Sequence, residues 1–264
     1  MTLHNFLSYG AILLSAVAFV ACAGVAKQSD PMAVPEKPIE EMNYTPEKTS
    51  FEVWGPTAES AVVRLYSGDE LVEQIAMSKG ECGLWTATAD GDRKGQFYAF
   101  QLTVDGKPLK ETAGIFAKAL GVNGDRGAII DLRSTDPEGW SEDRSPEFKP
   151  EECVIYEMHY RDMTAHASAG SRYPGKYLGM AERGTRSNED LATGLDHLVE
   201  LGVTHVHLLP TADFGSIDES KPTDQYNWGY EPKNYSAPEG TYSTDAADPE
   251  ARIRELKSLV QAMH

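Results

Sequence analysis

The feature that most constrains this chain is a change of hydrophobic period across Asp136–Cys153 (DPEGWSEDRSPEFKPEEC), a stretch dominated by acidic residues and proline. Before it, short apolar runs alternate with Gly/Asp turns: Phe51–Trp54, Ala61–Tyr66, Leu84–Ala89, Gln96–Val104 and Ala128–Leu132. Five or more strands in about 85 residues predict an antiparallel β-sandwich. Tyr98 and Phe100 share one strand face with Phe97 on the other, and Asp105-Gly106 supplies a type I′ hairpin turn. After the boundary the pattern becomes strand Val154–Tyr160, helix Asn188–Leu201, strand Val203–Leu209 and helix Pro249–Met263. Ser187 with Asp190 reads as a capping box, Leu191, Leu195, Leu198 and Leu201 as the apolar stripe, and Gly202 as the stop. Asp248 and Pro249 open the second helix, whose stripe is Ile253, Leu256, Val260 and Met263. Strands alternating with helices predict a parallel sheet, with function gathered in the loops beyond the strand C-termini. The long segments Arg161–Arg186 and Thr211–Ala247 lie at that end.

Twenty-four Lys and Arg against 41 Asp and Glu give a net charge of −17, which disfavours nucleic acid and leaves a neutral, hydrated ligand such as a sugar unaffected. The three cysteines, Cys22, Cys82 and Cys153, make neither a disulfide framework nor a zinc pattern. No charged residue occurs before Lys27, and Phe6–Ala21 is apolar enough to enter a membrane, so residues 1–26 read as an export segment. Phe19-Val20-Ala21-Cys22 resembles a bacterial lipobox, which makes Cys22 the expected lipidation site and the protein an exported lipoprotein held at the cell envelope or surface by an N-terminal membrane anchor. Cleaved secretion and an uncleaved signal anchor are the alternatives. Residues 27–49, where prolines interleave with acids, read as a tether, followed by the sandwich at 50–135, a linker at 136–152 and a βαβα segment at 153–264.

Tyr226, Trp228, Tyr230, Tyr235 and Tyr242 place five aromatic rings within 17 residues of the second long loop, against 9% aromatics over the chain. Such rings stack on the apolar faces of sugars, while Asn227 and Asp224 suit hydroxyl groups. The competing reading is that Trp228 and Tyr235 pack the loop itself. His205 and His207 share a strand face, a spacing that binds zinc in some hydrolases, although packing or hydrogen bonding suits them better. Glu157 and Asp162 lie an odd number of positions apart, which sends them to opposite strand faces and argues against a catalytic pair.

The run Gln225-Tyr226-Asn227-Trp228-Gly229-Tyr230-Glu231-Pro232, followed by Pro238-Glu239-Gly240-Thr241-Tyr242-Ser243, resembles the YNWGYDP…PEGSYS region of type I pullulanases, debranching enzymes of glycoside hydrolase family 13. Val154–Asp162, Gly194–Leu198, Val203–Pro210, Gly121–Gly127 and Asp136–Trp140 extend the resemblance, with Glu231, His207 and Gly114-Ile115-Phe116 as departures. It implies a sandwich like carbohydrate-binding module family 48, immunoglobulin-like, followed by the first two βα units of a (β/α)8 TIM barrel, here truncated. It further implies α-1,6-glucosidic hydrolysis of pullulan, amylopectin, glycogen or limit dextrins, with Tyr230 stacking beneath the sugar, Asn227 and Trp228 shaping that pocket, and Asp162 bracing the loops. Family members use two carboxylates roughly 5 Å apart, on later barrel strands than those reached by His264, so no residue here is assigned as nucleophile or acid and the chain is expected to be inactive by itself. No cofactor is expected, calcium being allowed but not indicated. The alternatives are a non-catalytic α-glucan-binding lipoprotein and another family 13 activity, isoamylase or branching enzyme.

Overall fold

The computed structural model describes residues 32–221 and 225–264. The export segment, Cys22 and Asp224 lie outside the described residues, and among the described residues no helix is long and apolar enough to cross a membrane.

Eight strands come first: β1 (Met42–Tyr44), β2 (Lys48–Trp54), β3 (Ser60–Ser67), β4 (Glu70–Ala76), β5 (Ser78–Lys79), β6 (Leu84–Asp90), β7 (Phe97–Val104) and β8 (Lys107–Pro108). One antiparallel sheet has the order β1-β2-β6-β5 and the other β4-β3-β7-β8, with β9 (Gly127–Ala128) also pairing with β7. Alternation explains the packing. Thr49, Phe51 and Val53 of β2 are buried while Ser50, Glu52 and Trp54 are half-buried. Phe51, Val53, Trp85 and Ala89 of the first sheet meet Val63, Leu65, Tyr98 and Phe100 of the second. Phe51 and Tyr98 pack at a tilt with centroids 5.4 Å apart, and Tyr98 meets Phe100 edge-on at the same distance. Burying each ring contributes about 2 kcal/mol. Asp105 and Gly106 both have positive φ, as the type I′ turn requires.

The sandwich starts earlier than composition suggested. Met42–Tyr44 pairs with β2 in the register Met42↔Phe51 and Tyr44↔Thr49, so the stretch read as tether supplies an edge strand. Pro46 and Glu47, the residues that signalled solvation, form the exposed tip of the β1–β2 turn. Glu41 is buried, its carboxylate accepting the backbone N–H groups of Ile115 and Phe116 at 2.9 Å each. The expected strand Ala128–Leu132 shrinks to β9, because Asp131 accepts the N–H of Arg133 and starts a 3-10 turn at Leu132–Thr135.

Beyond Cys153 come β10 (Ile155–Met158), α1 (Tyr160–Thr164), α2 (Tyr177–Ala181), α3 (Gly194–Glu200), β11 (His205–Leu208), β12 (Ala212–Phe214), β13 (Pro232–Pro238) and α4 (Pro249–Met263). β10 and β11 are parallel, Ile155 opposite His205 and Met158 opposite Leu208. β12 and β13 form an antiparallel hairpin inside the second long loop. The first predicted helix is corrected. Ser187 Oγ accepts the N–H groups of Glu189 and Leu191 at 3.2 Å, Asp190 has φ +61°, and an Arg186–Ala192 bridge closes the segment, so the apparent capping box builds a turn. The helix starts only at Gly194, and Leu191 points outward. α4 has the predicted bounds, with the Asp248 side chain accepting the Glu250 N–H at 2.8 Å.

α4 is buried on two sides. Leu259 and Leu256 join Met158, Tyr160, Tyr177, Met180, Leu198 and Tyr242, while Ile253 packs against Ala119, Ala128 and Ile130 of the sandwich. Lys257 Nζ reaches Thr135 Oγ1 at 2.8 Å and Asp136 Oδ1 at 2.5 Å, and Gln261 donates to the Glu138 carbonyl. Asp136 and Glu138 are therefore fastened to α4, rather than running free between the two halves.

Candidate functional site

The ends of β10 and β11 converge as a parallel pair requires. β10 runs into His159 and α1, and β11 runs through Pro210 into the β12–β13 hairpin, whose connection carries Gln225–Glu231. Asn227 shapes this run: its Oδ1 accepts the Gly229 N–H at 2.8 Å and its Nδ2 donates to Glu231. Gly229 has φ +85°, and a Cβ there would sit 3.0 Å from Phe214 and 3.1 Å from Pro210. The chain can bend here only because this residue is glycine.

That bend separates the five aromatics into two kinds. Tyr226, Trp228, Tyr230 and Tyr235 are 51%, 57%, 64% and 77% exposed, whereas Tyr242 is 3% exposed. Trp228 and Tyr235 therefore do not pack the loop; Tyr242 does, against Tyr160, Tyr177 and Phe214. Two of the exposed rings, Tyr226 and Trp228, are nevertheless anchored. Tyr226 donates its hydroxyl hydrogen to Asp162 Oδ2 at 2.7 Å and accepts from Trp228 Nε1 at 2.7 Å. The Arg161 guanidinium lies 5.7 Å from the Tyr226 ring centre and donates to the Gln225 carbonyl. Burial and the Asp162 carboxylate both hold the Tyr226 hydroxyl above its usual pKa, so it stays a neutral donor.

Beneath the loop sits His159, which no reading of the sequence singled out. Its Nε2 is 3.1 Å from the Asn227 carbonyl and 2.9 Å from the Tyr242 hydroxyl, and its ring packs 5.4 Å from that of Tyr226. Its only sequence signal is its place, directly after the first strand of the parallel pair. Arg252, Glu219, Asp213 and Glu239 were also missed, because charged residues in a loop or a helix's first turn read as solvent-facing. They form a buried cluster in which Arg252 lies 3.1 Å from Glu219 and 3.9 Å from Asp213. Glu239 accepts the N–H groups of Phe214 and Thr241, and Asn234 donates to Asp213. Burial lifts Asp213 to about 6 and, with the charge of Glu219, Glu239 to about 7. Oxygens of Asp213, Glu219 and Glu239 come within 4.8 Å of one another, a spacing suited to a metal ion. The fully buried Arg252 guanidinium lies among these carboxylates and pairs with Asp213 and Glu219, so the cluster is a salt-bridged part of the core.

His205 and His207 are both exposed. His205 Nδ1 is 2.9 Å from Thr204 Oγ1 and His207 Nδ1 is 3.0 Å from Glu157, which makes them surface hydrogen-bonding groups. Glu157 and Asp162 are engaged with different partners, His207 and Tyr226.

Residues 40–114 match the family Carbohydrate-binding module 48 (Isoamylase N-terminal domain), a span that contains all of β1–β8. Over 221 residues, 84% of this chain, the sequence is 39% identical to a pullulanase of Bacillus subtilis (strain 168). The chain is a relative of the pullulanases. Pullulanase A of Streptococcus pneumoniae is 31% identical over 245 residues. A mutant pullulanase from Paenibacillus barengoltzii, solved with maltotriose, superposes with a TM-score of 0.84 at 46% identity, covering 89% of this chain and 37% of that one. A pullulanase from Anoxybacillus sp. LM18-11, also solved with maltotriose, gives 0.81 at 38% identity over 88% of this chain and 33% of that one. The chain spans about 30% of the length of the B. subtilis pullulanase and 19% of pullulanase A.

Proposed function

We propose that this chain is the glucan-holding part of a pullulanase-like glycoside hydrolase that cleaves α-1,6 branch linkages in pullulan, amylopectin, glycogen and limit dextrins. The observation that carries the reading is the shelf of exposed rings, Tyr226, Trp228 and Tyr230, the first two linked through hydrogen bonds to Asp162 and all three flanking the Asn227 turn at the C-terminal ends of a parallel strand pair. Exposed aromatic surface is costly in water, and its fixed orientation suits the apolar faces of glucose rings. In this reading Tyr230 stacks under the sugar at the cleaved linkage and Trp228 forms the pocket wall. β10–β11 with α3 and α4 form the first two βα units of a (β/α)8 barrel. The carboxylate pair that cleaves is supplied by residues other than Asp162, Glu157 and Glu231, each of which is occupied by a neighbour.

Affinity electrophoresis tests the binding. Amylopectin in the gel should retard the wild-type chain, and Trp228→Ala with Tyr230→Ala should restore free mobility; equal mobility of the wild type with and without amylopectin sinks the reading. The chain alone should release no reducing sugar from pullulan, and measurable release would refute the assignment of the carboxylates elsewhere.

A binding-only role is the second reading, favoured by the module match at 40–114; retardation of residues 40–132 alone would support it. Export and anchoring through an acylated Cys22 complete the proposal, supported by the charge-free 26 residues that precede Lys27. Labelling with palmitate should mark the wild type and not Cys22→Ser, and an unlabelled wild type removes the anchor.

A further inference from the structure

Below the ring shelf, one side chain joins all the segments that build it. His159 is 4% exposed and follows β10 directly. Its Nε2 faces the backbone carbonyl of Asn227, the residue that turns the ring-bearing run, and the hydroxyl of the buried Tyr242. Its ring lies against Tyr226. Its Nδ1 is buried with no hydrogen-bond partner and lies 3.7 Å from Asp162 Oδ1, on the same carboxylate whose other oxygen accepts from Tyr226.

A carbonyl oxygen only accepts, so the contact to Asn227 requires hydrogen on Nε2. We propose that His159 is the positioning residue of the glucan-binding loop, held as the Nε2–H tautomer by the Asn227 carbonyl, and that this single N–H fixes the height of the Trp228–Tyr230 shelf above the strand ends. The inference rests on the reading of that shelf as an α-glucan site. The charged and titratable groups around the imidazole are Asp162 and Arg161 from α1, Tyr226 above, Tyr242 beside it, and Lys176 and Lys221 lining the same small cavity. Burial acts against a charged ring here and outweighs the attraction of Asp162, which accords with a neutral imidazole.

The geometry separates His159 from a plain packing residue. A side chain that only filled space would be replaced without loss by an aromatic hydrocarbon of similar size. A side chain that works through Nε2–H would be replaced by Gln, whose amide nitrogen reaches about as far, and not by Phe. The exposed rings contribute almost nothing to the buried core, so a change in their placement leaves global stability nearly intact while altering ligand affinity.

Nitrogen-15 NMR of the imidazole in the 264-residue chain, assigned by its loss in His159→Gln, reads the tautomer directly. The expected result at neutral pH is a protonated Nε2 and an unprotonated Nδ1; a protonated Nδ1 with a bare Nε2 overturns the proposal, whatever the chain binds. Maltotriose affinity and Trp228 emission, taken as the part of the tryptophan emission lost in Trp228→Phe, are then compared among wild type, His159→Gln and His159→Phe. Removing one buried hydrogen bond should weaken maltotriose binding by about tenfold in His159→Phe and shift Trp228 emission, with His159→Gln within about threefold of wild type. Equal affinity and emission in all three overturns it. If the wild type binds no maltotriose, the glucan reading fails, yet the tautomer and the Trp228 emission still decide whether His159 positions the loop.

Discussion

Glu41 and Glu239 are carboxylates drawn into the fold from opposite ends of the chain, each accepting two backbone N–H groups. Burial raises both from 4.5 to about 7, and Asp213 from 3.8 to about 6. A raised folded-state pKa stabilises the fold fully below the unfolded value and loses that contribution as pH rises through the folded value. The chain should therefore melt at a lower temperature at pH 8 than at pH 5, each group contributing on the order of 1–3 kcal/mol. The opposite tendency comes from carboxylates such as Asp218, which Lys221 holds below the ordinary range, and it acts only in more acidic solution. Thermal melts across pH check this, and Glu239→Gln should flatten the slope between pH 5 and 8; an unchanged slope would remove Glu239 as a contributor.

α3 and α4 show what local sequence can and cannot specify. α4 was legible to the residue because Asp248, Pro249 and a long apolar repeat agree with one another. α3 was misplaced by six residues, because Ser187 and Asp190 satisfy a turn with the same groups that would cap a helix. Stability measurements discriminate the two readings: Leu198→Ala should cost about 3 kcal/mol in a urea melt, and Leu191→Ala within about 0.5 kcal/mol. Asp248→Ala should cost about 1 kcal/mol. β2, β3, β6 and β7 were legible in the sandwich pattern, whereas β4 (Glu70–Ala76), whose residues are mostly exposed, was not read, and β1 was hidden because three residues between prolines carry no period. The aromatic run was legible as a cluster, but which rings face outward was not: Tyr226, Trp228, Tyr230 and Tyr235 are exposed while Tyr242 packs inside. His159, Arg252 and Glu239 were not legible, because their meaning comes from partners tens of residues away.

At the scale of the whole molecule, the two halves meet over a polar lock and a small apolar face. Asn123 exchanges hydrogen bonds with Glu219 at 2.7 and 2.8 Å, and Asn234 donates to the Gly124 carbonyl at 3.0 Å. Gly124 has φ +62°, and a Cβ there would lie 2.4 Å from Asp213 Oδ2. Gly124→Ala should destabilise the chain by about 2 kcal/mol in a denaturant melt without altering the fold of the sandwich. Residues 40–132 alone should give a cooperative thermal transition, and residues 151–264 alone should not, since β10 and β11 are a two-stranded sheet whose Ile155 is already exposed; circular dichroism of the two pieces checks both. The grip of Lys257 on Asp136 spans 121 residues. At about 5–20 residues per second of synthesis, those 121 residues take roughly 6–24 s to make. Until Ile253 is made, Ala119, Ala128 and Ile130 lack the apolar side chain that covers them in the folded chain.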